Sequence, residues 1–234
     1  PSNGVFLVED KYYFGVKIDL QKGWKTYWKN PGDAGAPLTI NWKDSSFPNK
    51  LKVLFPFPGK FLDHDVSTIG YENQVIFPVE IQKDEVDKIN EKIDLNYLVC
   101  KDICIPISET KKLTLNFLKE VVSDSFLKSY KTVPKRKQNY FNIDHKIVSS
   151  EKIKLDLINN DEFENIQLFA HSEDTNLKVK KLKSFFEVEF DDNINSLTKP
   201  INFSISNGKV YQEISFDPNK FENKNTKIIY YVIL

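Results

Sequence analysis

The sequence predicts an all-β protein, and three observations carry that reading. Apolar Tyr12, Phe14, Val16, Ile18 and Leu20 alternate with Tyr13, Gly15, Lys17 and Asp19, the period-2 pattern of a half-buried strand. Similar short runs recur along the chain, separated by clusters of Gly, Pro, Asn, Asp and Ser. A single stretch carries helical signals. Short strands with frequent punctuation build sandwiches, whereas an α/β fold needs crossover helices between its strands.

In chain order, the strand candidates are Val5 to Leu20, Leu38 to Trp42, Leu51 to Phe55, Gln74 to Ile81, Ile93 to Val99 and Lys111 to Phe117. Turns are expected at Asn30-Pro31-Gly32-Asp33, at Phe57-Pro58-Gly59 and in the stretch from Ser67 to Gly70. The Pro-Gly-Asp-x-Gly run requires a positive φ somewhere and reads as a rigid turn. From Lys119 to Gln138 the pattern changes. Ser123-Asp124-Ser125 is placed to cap a short helix carrying Phe126, Leu127 and Tyr130, which ends before Pro134. The basic Lys135-Arg136-Lys137 that follows reads as a solvated linker, since three charges are too few for a polybasic membrane anchor.

From Lys146 the β pattern resumes through Ile153-Leu155-Leu157, Ile166-Leu168-Ala170, Val179 to Leu182, Phe186-Val188-Phe190, Ile201-Phe203-Ile205, Val210 to Phe216 and Ile228 to Ile233. Ser206-Asn207-Gly208-Lys209, lying between two of these runs, is a strong hairpin signal. The expected organisation is a β-sandwich domain over 1–118, a linker with a short helix over 119–144, and a second, smaller β-sandwich-like domain over 145–234 with a supporting or partner-binding role.

Composition narrows the function. At 234 residues the chain suits one large or two ordinary domains, and 40% hydrophobic residues suffice for packed cores. Lys+Arg 33 against Asp+Glu 33 leaves no basic excess to attract nucleic acid. Apolar runs such as Ile228 to Leu234 are too short to span a bilayer. The opening Pro-Ser-Asn-Gly carries no charged-then-apolar leader, so an exported form is expected to be mature or trimmed. The sulfur inventory is no Met and two Cys, and those two are close together.

That pair lies in Tyr97-Leu98-Val99-Cys100-Lys101-Asp102-Ile103-Cys104-Ile105-Pro106. Residues four apart on a straight strand are roughly 13 Å from each other, whereas a disulfide needs Cα atoms about 5.5 Å apart. The backbone must therefore turn at Lys101 to Ile103 for the sulfurs to join. A strand ending at Val99, a tight turn and a new strand after Pro106 would achieve this. So small a loop restrains little unfolded-chain entropy, which makes the bridge a weak staple and favours an exchanging dithiol. A structural disulfide and a Cu(I) site on Cys100 and Cys104 are the alternatives. Copper favours soft ligands, but no Met and only three His remain to complete a shell, and a closed zinc site lacks its second Cys pair. The spacing is not the C-x-x-C of a thioredoxin helix, and no other cofactor is called for.

His64, in Phe61-Leu62-Asp63-His64-Asp65, is either a proton donor or cap over the cysteines or an ordinary loop histidine. Trp24, Tyr27 and Trp28 are either recognition aromatics or core residues, with core favoured. Lys101 favours a neighbouring thiolate and Asp102 opposes it. Ile103 and Ile105 offer apolar surface beside Cys104.

Three stretches occur in a specific order: Gly-Trp-Lys-Thr-Tyr-Trp-Lys-Asn-Pro-Gly-Asp-Ala-Gly over 23–35, Ile69-Gly70-Tyr71-Glu72 to Phe77-Pro78, and the cysteine segment 97–106. Together they resemble the N-terminal domain of the DsbD thiol:disulfide interchange proteins, more closely its ScsB-like branch, over roughly residues 5 to 118. The resemblance implies an immunoglobulin-like sandwich, a periplasmic location, and a thiol–disulfide oxidoreductase dithiol. That dithiol takes electrons from a membrane-embedded thiol reductase and passes them to periplasmic thioredoxin-like or disulfide-bonded proteins. Cys104 would form the mixed disulfides and Cys100 would resolve them. Phe61 to Tyr71 corresponds in position to a cap loop, so that His64, Asp65 and Tyr71, with Tyr27 and the intervening Lys101, Asp102 and Ile103, would surround the pair. The membrane-spanning and thioredoxin-like parts of a full DsbD do not occur in these residues.

Overall fold

The computed structural model describes residues 5–43, 51–63, 65–81, 88–116, 123–136, 138–158 and 163–220. The long alternating run at the start is a hairpin, β1 (Phe6–Val8) and β2 (Lys11–Asp19). Glu9 and Asp10 take φ of 50° and 60°, the paired left-handed residues of a type I′ turn. Glu-Asp lacks the Asn-Gly signature of such turns, which is why the sequence reads as continuous there. Next come β3 (Lys25–Gly32), β4 (Thr39–Lys43), β5 (Leu51–Val53), β6 (Gly59–Asp63), β7 (Val66–Glu72), β8 (Gln74–Ile81), β9 (Lys88–Cys100) and β10 (Cys104–Asn116). They form two antiparallel sheets, β1-β2-β8-β5 and β10-β9-β3-β7-β6, an immunoglobulin-like sandwich. The inner edge of β9 is shared: β4 pairs with it along Lys92 to Asn96, and β3 meets it at Cys100.

Two expected turns are strands. Asn30 to Gly32 finishes β3, and Ser67 to Gly70 lies inside β7. The small residues serve close approach instead of reversal: a Cβ on Gly70 would sit 2.1 Å from the Thr26 carbonyl oxygen. The register between β3 and β7 slips between Tyr27 and Gly32, a bulge that accommodates the Asn-Pro-Gly residues. Trp28, Phe77 and Val79 are fully buried between the sheets, joined by Phe14, Leu38, Tyr71 and, from much later in the chain, Phe169.

Helix α1 (Asp124–Lys131) begins where the sequence predicts, with the Ser123 hydroxyl accepting the Phe126 N–H. Phe126 and Tyr130 are buried against Tyr13 and Ile76 on the outer face of the β2–β8 pair. Gly15 makes the seat: a Cβ there would stand 3.2 Å from the Phe126 ring. Burying two aromatic side chains contributes about 4 kcal/mol, so this segment is docked and is not a free linker. The basic cluster is likewise tied down. Lys135 pairs with Glu9 at 2.6 Å and Arg136 with Glu213 at 2.8 Å, while Lys137 lies outside the described residues.

The second half contains β11 (Asn142–Ser149), β12 (Lys152–Ile158), β13 (Gln167–His171), β14 (Leu177–Lys181), β15 (Phe185–Phe190), β16 (Ile201–Ser206) and β17 (Tyr211–Phe216). They pair as β11-β12-β15-β14 and β13-β16-β17 around Ile153, Leu155, Phe186, Val188, Ile201 and Phe203. The predicted hairpin at Asn207-Gly208 joins β16 to β17, with Gly208 at φ 84°. The strand expected at Ile228 to Ile233 lies outside the described residues. Where the halves meet, Phe169 packs on Trp28 and Phe57, with ring centroids 5.8 and 5.2 Å apart. Lys29 pairs with Glu213 at 2.9 Å, the Asn30 amide donates to the Ala170 carbonyl at 2.8 Å, and Asp33 pairs with Lys178 at 2.9 Å. Among the described residues no helix is long and apolar enough to cross a membrane.

Candidate functional site

β9 and β10 form one long hairpin, and the cysteines sit at its turn. Cys100 is the last residue of β9, Cys104 is the first of β10, and the two are direct cross-strand partners. Their Cα atoms are 4.1 Å apart and the sulfurs are bonded to each other. That spacing is close to the ~4.5 Å of a non-hydrogen-bonded antiparallel pair. The Lys101 N–H donates to the Ile103 carbonyl at 3.0 Å and closes the turn. The tight turn is where the spacing predicts it, but β10 starts at Cys104 rather than after Pro106. Pro106 is tolerated inside the strand because β10 is a sheet edge, where among the described residues one side of the backbone has no partner strand.

The two sulfurs have different environments. Cys100 is 7% exposed, whereas Cys104 is exposed together with the turn residues Lys101, Asp102 and Ile103. Ile103 adds apolar surface beside Cys104, while Ile105, the next residue of β10, is half-exposed on the other face of the hairpin. Lys101 runs its stem over Gly23, with its Cε 3.3 Å from where a Cβ would be, which carries the side chain towards the β2–β3 loop.

Neighbouring strands place a row of residues beside the disulfide. Lys25 on β3 is the cross-strand partner of Cys100, and Glu72 on β7 is the partner of Lys25 on its other side. The Lys25 ammonium forms an ion pair with Asp63 and lies 4.7 Å from the centre of the Phe61 ring, both residues on β6. The segment expected as a cap loop, Phe61 to Tyr71, is thus a β6–β7 hairpin whose described tip includes Asp65 at φ 69°. His64 lies outside the described residues. Lys25 escaped the sequence reading, and Phe61 and Asp63 counted only as part of the cap segment, because strand register brings Lys25 beside residues 36, 38 and 75 positions further along the chain.

Tyr71 and Tyr27 are not at the surface of the pair. Tyr71 pairs with Thr26, one step along from the Lys25–Cys100 row and hence on the opposite face. Its ring packs edge-on against Phe77, its hydroxyl donates to the Pro56 carbonyl at 2.7 Å, and burial holds its ionisation well above the usual tyrosine range. Tyr27 is 3% exposed beneath Gly35, whose φ of 120° lets its bare Cα press on the ring. Burial, and then the Asp63 charge, raise the Tyr27 ionisation. Trp28 is core, and Trp24 is half-buried. Trp24 lines a cleft of about 260 Å³ with Ile18, Leu20, Tyr97, Val99 and Ile105, on the face of the hairpin opposite the cysteines. Among the described residues no group of three or more His, Cys, Asp or Glu side chains is placed to hold a metal ion.

Comparison with known proteins fits this geometry. The family described as "Thiol:disulfide interchange protein DsbD, N-terminal" matches residues 5–116. The crystal structure of the N-terminal periplasmic domain of ScsB from Proteus mirabilis superimposes with a TM-score of 0.68 at 18% identity, covering 91% of this chain and 90% of that one. The shared fold therefore extends through the second half. A marsupial T cell receptor aligns over 88% of each chain with a TM-score of only 0.22 and 8% identity. No curated protein sequence matches significantly. Residues 5–116, which hold both cysteines and the described strands that frame them, match the family of DsbD N-terminal domains.

Proposed function

We propose that this chain is a periplasmic thiol:disulfide exchange module, a protein-disulfide reductase component that relays electrons through Cys100 and Cys104. The observation that carries this reading is the asymmetry of the pair: the bridge ends on an exposed Cys104 and a buried Cys100 at the tip of an edge hairpin. Of the two, the exposed Cys104 is the one a partner's thiolate reaches. In the loading step a donor thiolate attacks Cys104 Sγ, a donor–Cys104 disulfide forms, and Cys100 departs as a thiolate. The donor's second thiolate then attacks its own sulfur in that mixed disulfide. Oxidised donor is released, and the pair keeps two electrons and, after protonation, two protons. In the unloading step the Cys104 thiolate attacks an acceptor disulfide, and Cys100 resolves the mixed disulfide and releases the reduced acceptor.

By the family's function, a membrane-embedded thiol reductase is the donor, and periplasmic thioredoxin-like or disulfide-bonded proteins are the acceptors. The β6–β7 hairpin, with Asp65 at its tip, acts as the cap, a role that the resemblance extends to His64, while Lys101, Asp102 and Ile103 form the rim a partner meets. Residues 1–118 make the redox unit, 119–144 the connection that carries the docked helix α1, and 145–234 a supporting unit. The test is trapping. A Cys100→Ser chain, incubated with a periplasmic extract or a purified disulfide-bonded acceptor, is expected to accumulate mixed disulfides through Cys104, and Cys104→Ser none. Equal trapping by both variants, or none by Cys100→Ser, would overturn the reading.

A further inference from the structure

Breaking the Cys100–Cys104 bond by attack at exposed Cys104 drives an electron pair onto the sulfur of Cys100, which is 7% exposed. An anion formed out of water is costly unless a cation stands beside it. The charged groups around Cys100 are Lys25 on β3, Glu72 on β7, Asp63 on β6, and Lys101 and Asp102 in the turn. Glu72 is separated from Cys100 by the whole of β3 and is exposed, and Asp102 is exposed in the turn. Lys101 is drawn off over Gly23. Lys25 remains. As a direct cross-strand partner on the same face, its Cβ lies about 5 Å from that of Cys100. Its side chain is 16% exposed and is held by Asp63 and the Phe61 ring.

We infer that Lys25 is a charge-compensating, positioning residue for the exchange reaction, stabilising the Cys100 thiolate as leaving group and as resolving nucleophile. The inference rests on the exchange reading. When the partner's S–S bond to Cys104 forms and the Cys100–Cys104 bond breaks, the new negative charge appears beside an ammonium whose counter-charge is Asp63. The thiolate then competes with Asp63 for Lys25. Reduction of the pair therefore weakens the tie that holds the β6–β7 hairpin beside the cysteines, and reoxidation restores it.

The experiment measures Cys100 alone, in the full chain with Cys104→Ser, by the rate of iodoacetamide alkylation against pH under reducing conditions. Adding Lys25→Gln is expected to move the profile up by about one pH unit and to slow alkylation near neutrality by up to tenfold. Lys25→Arg should keep the original profile. Should Lys25→Gln fail to fold, Asp63→Asn serves: Asp63 is 60% exposed, and its loss should move the profile to lower pH. Superimposable profiles for Lys25→Gln and its parent, or an unchanged or raised profile for Asp63→Asn, would overturn the inference. Because Cys100 is read without any partner, this result is independent of whether Cys104 traps acceptors.

Discussion

Acidification is predicted to loosen the junction between the halves through one histidine. His171 ends β13 next to Ala170, whose carbonyl receives the Asn30 amide, and Lys29 and Glu213 lie nearby. Burial, and then the Lys29 charge, lower its ionisation from the ordinary 6.5 to about 4, with Glu173 and Glu213 opposing the shift. The folded protein therefore keeps His171 neutral while an unfolded chain protonates it below pH 6.5. The sign follows: the contribution is fully present above pH 6.5 and is lost progressively as pH falls towards 4, below which both states are charged. A shift of that size on a fully enclosed ring corresponds to about 3 kcal/mol. His171 is half-buried, so solvent screening reduces this to about 1.5 kcal/mol. Urea unfolding midpoints at intervals between pH 7 and 4, for the parent and for His171→Gln, isolate the effect. The parent should lose about 1.5 kcal/mol more than the variant across this window, because other acid-labile groups are common to both. Parallel curves would refute this placement of His171.

Three further outcomes follow from the packing. Phe126→Ala empties the seat over Gly15 and should cost about 3 kcal/mol in urea unfolding; a loss below about 1 kcal/mol would mean that α1 is an undocked tether. Glu213→Gln leaves Lys29 without its counter-charge at the junction and should cost about 2 kcal/mol near neutral pH, measured as a lowered thermal midpoint. Because Lys29 and Arg136 hold the Glu213 carboxyl below its usual range against the cost of burial, the gap between parent and variant should close as pH falls through the acid range. Tyr71→Phe removes the hydrogen bond to the Pro56 carbonyl and should cost about 1 to 2 kcal/mol without altering the alkylation of Cys100 or Cys104, which confirms a core role if observed.

Much of this was legible in the residues. Period-2 runs located most strands, and the Ser123 cap and the Asn207-Gly208 hairpin fell where side-chain chemistry demands them. The turn that brings Cys100 opposite Cys104 followed from reach on the condition that the two sulfurs join. What failed to show were features set by register and by tertiary partners. Glycines at 32 and 70 read as turn residues because composition cannot separate reversal from close strand approach. Tyr71 belonged to a segment aligned with a cap, but its parity on β7 turns it into the core. Lys25 sits in a motif that stood out for its aromatics, and its position beside Cys100 depends on how β3 meets β9, information that no local window contains. Lys135 and Arg136 resembled solvated charge until Glu9 and Glu213, distant in sequence, supplied their partners.

The segment 23–35 acquires a mechanical meaning from these contacts. At its start Lys25 stands beside Cys100, and Thr26 donates its hydroxyl hydrogen to the Leu98 carbonyl at 3.0 Å. At its centre Trp28 is fully buried and meets Phe169, a residue of the second half that completes the core of the first. Towards its end Lys29, Asn30 and Asp33 engage Glu213, Ala170 and Lys178. Asp33 also accepts the Ser67 N–H at 2.9 Å and so fixes the start of β7 in the hairpin that carries Asp63. One short segment thus connects the Cys100–Cys104 bond, the hairpin beside it and the second half. A strand anchored at both ends holds its side chains more narrowly than one anchored at a single end, and placement of an ammonium next to a buried sulfur depends on that precision. The second half therefore need not touch the cysteines to matter to them: by gripping Lys29, Asn30 and Asp33 it anchors the far end of the segment whose near end carries Lys25.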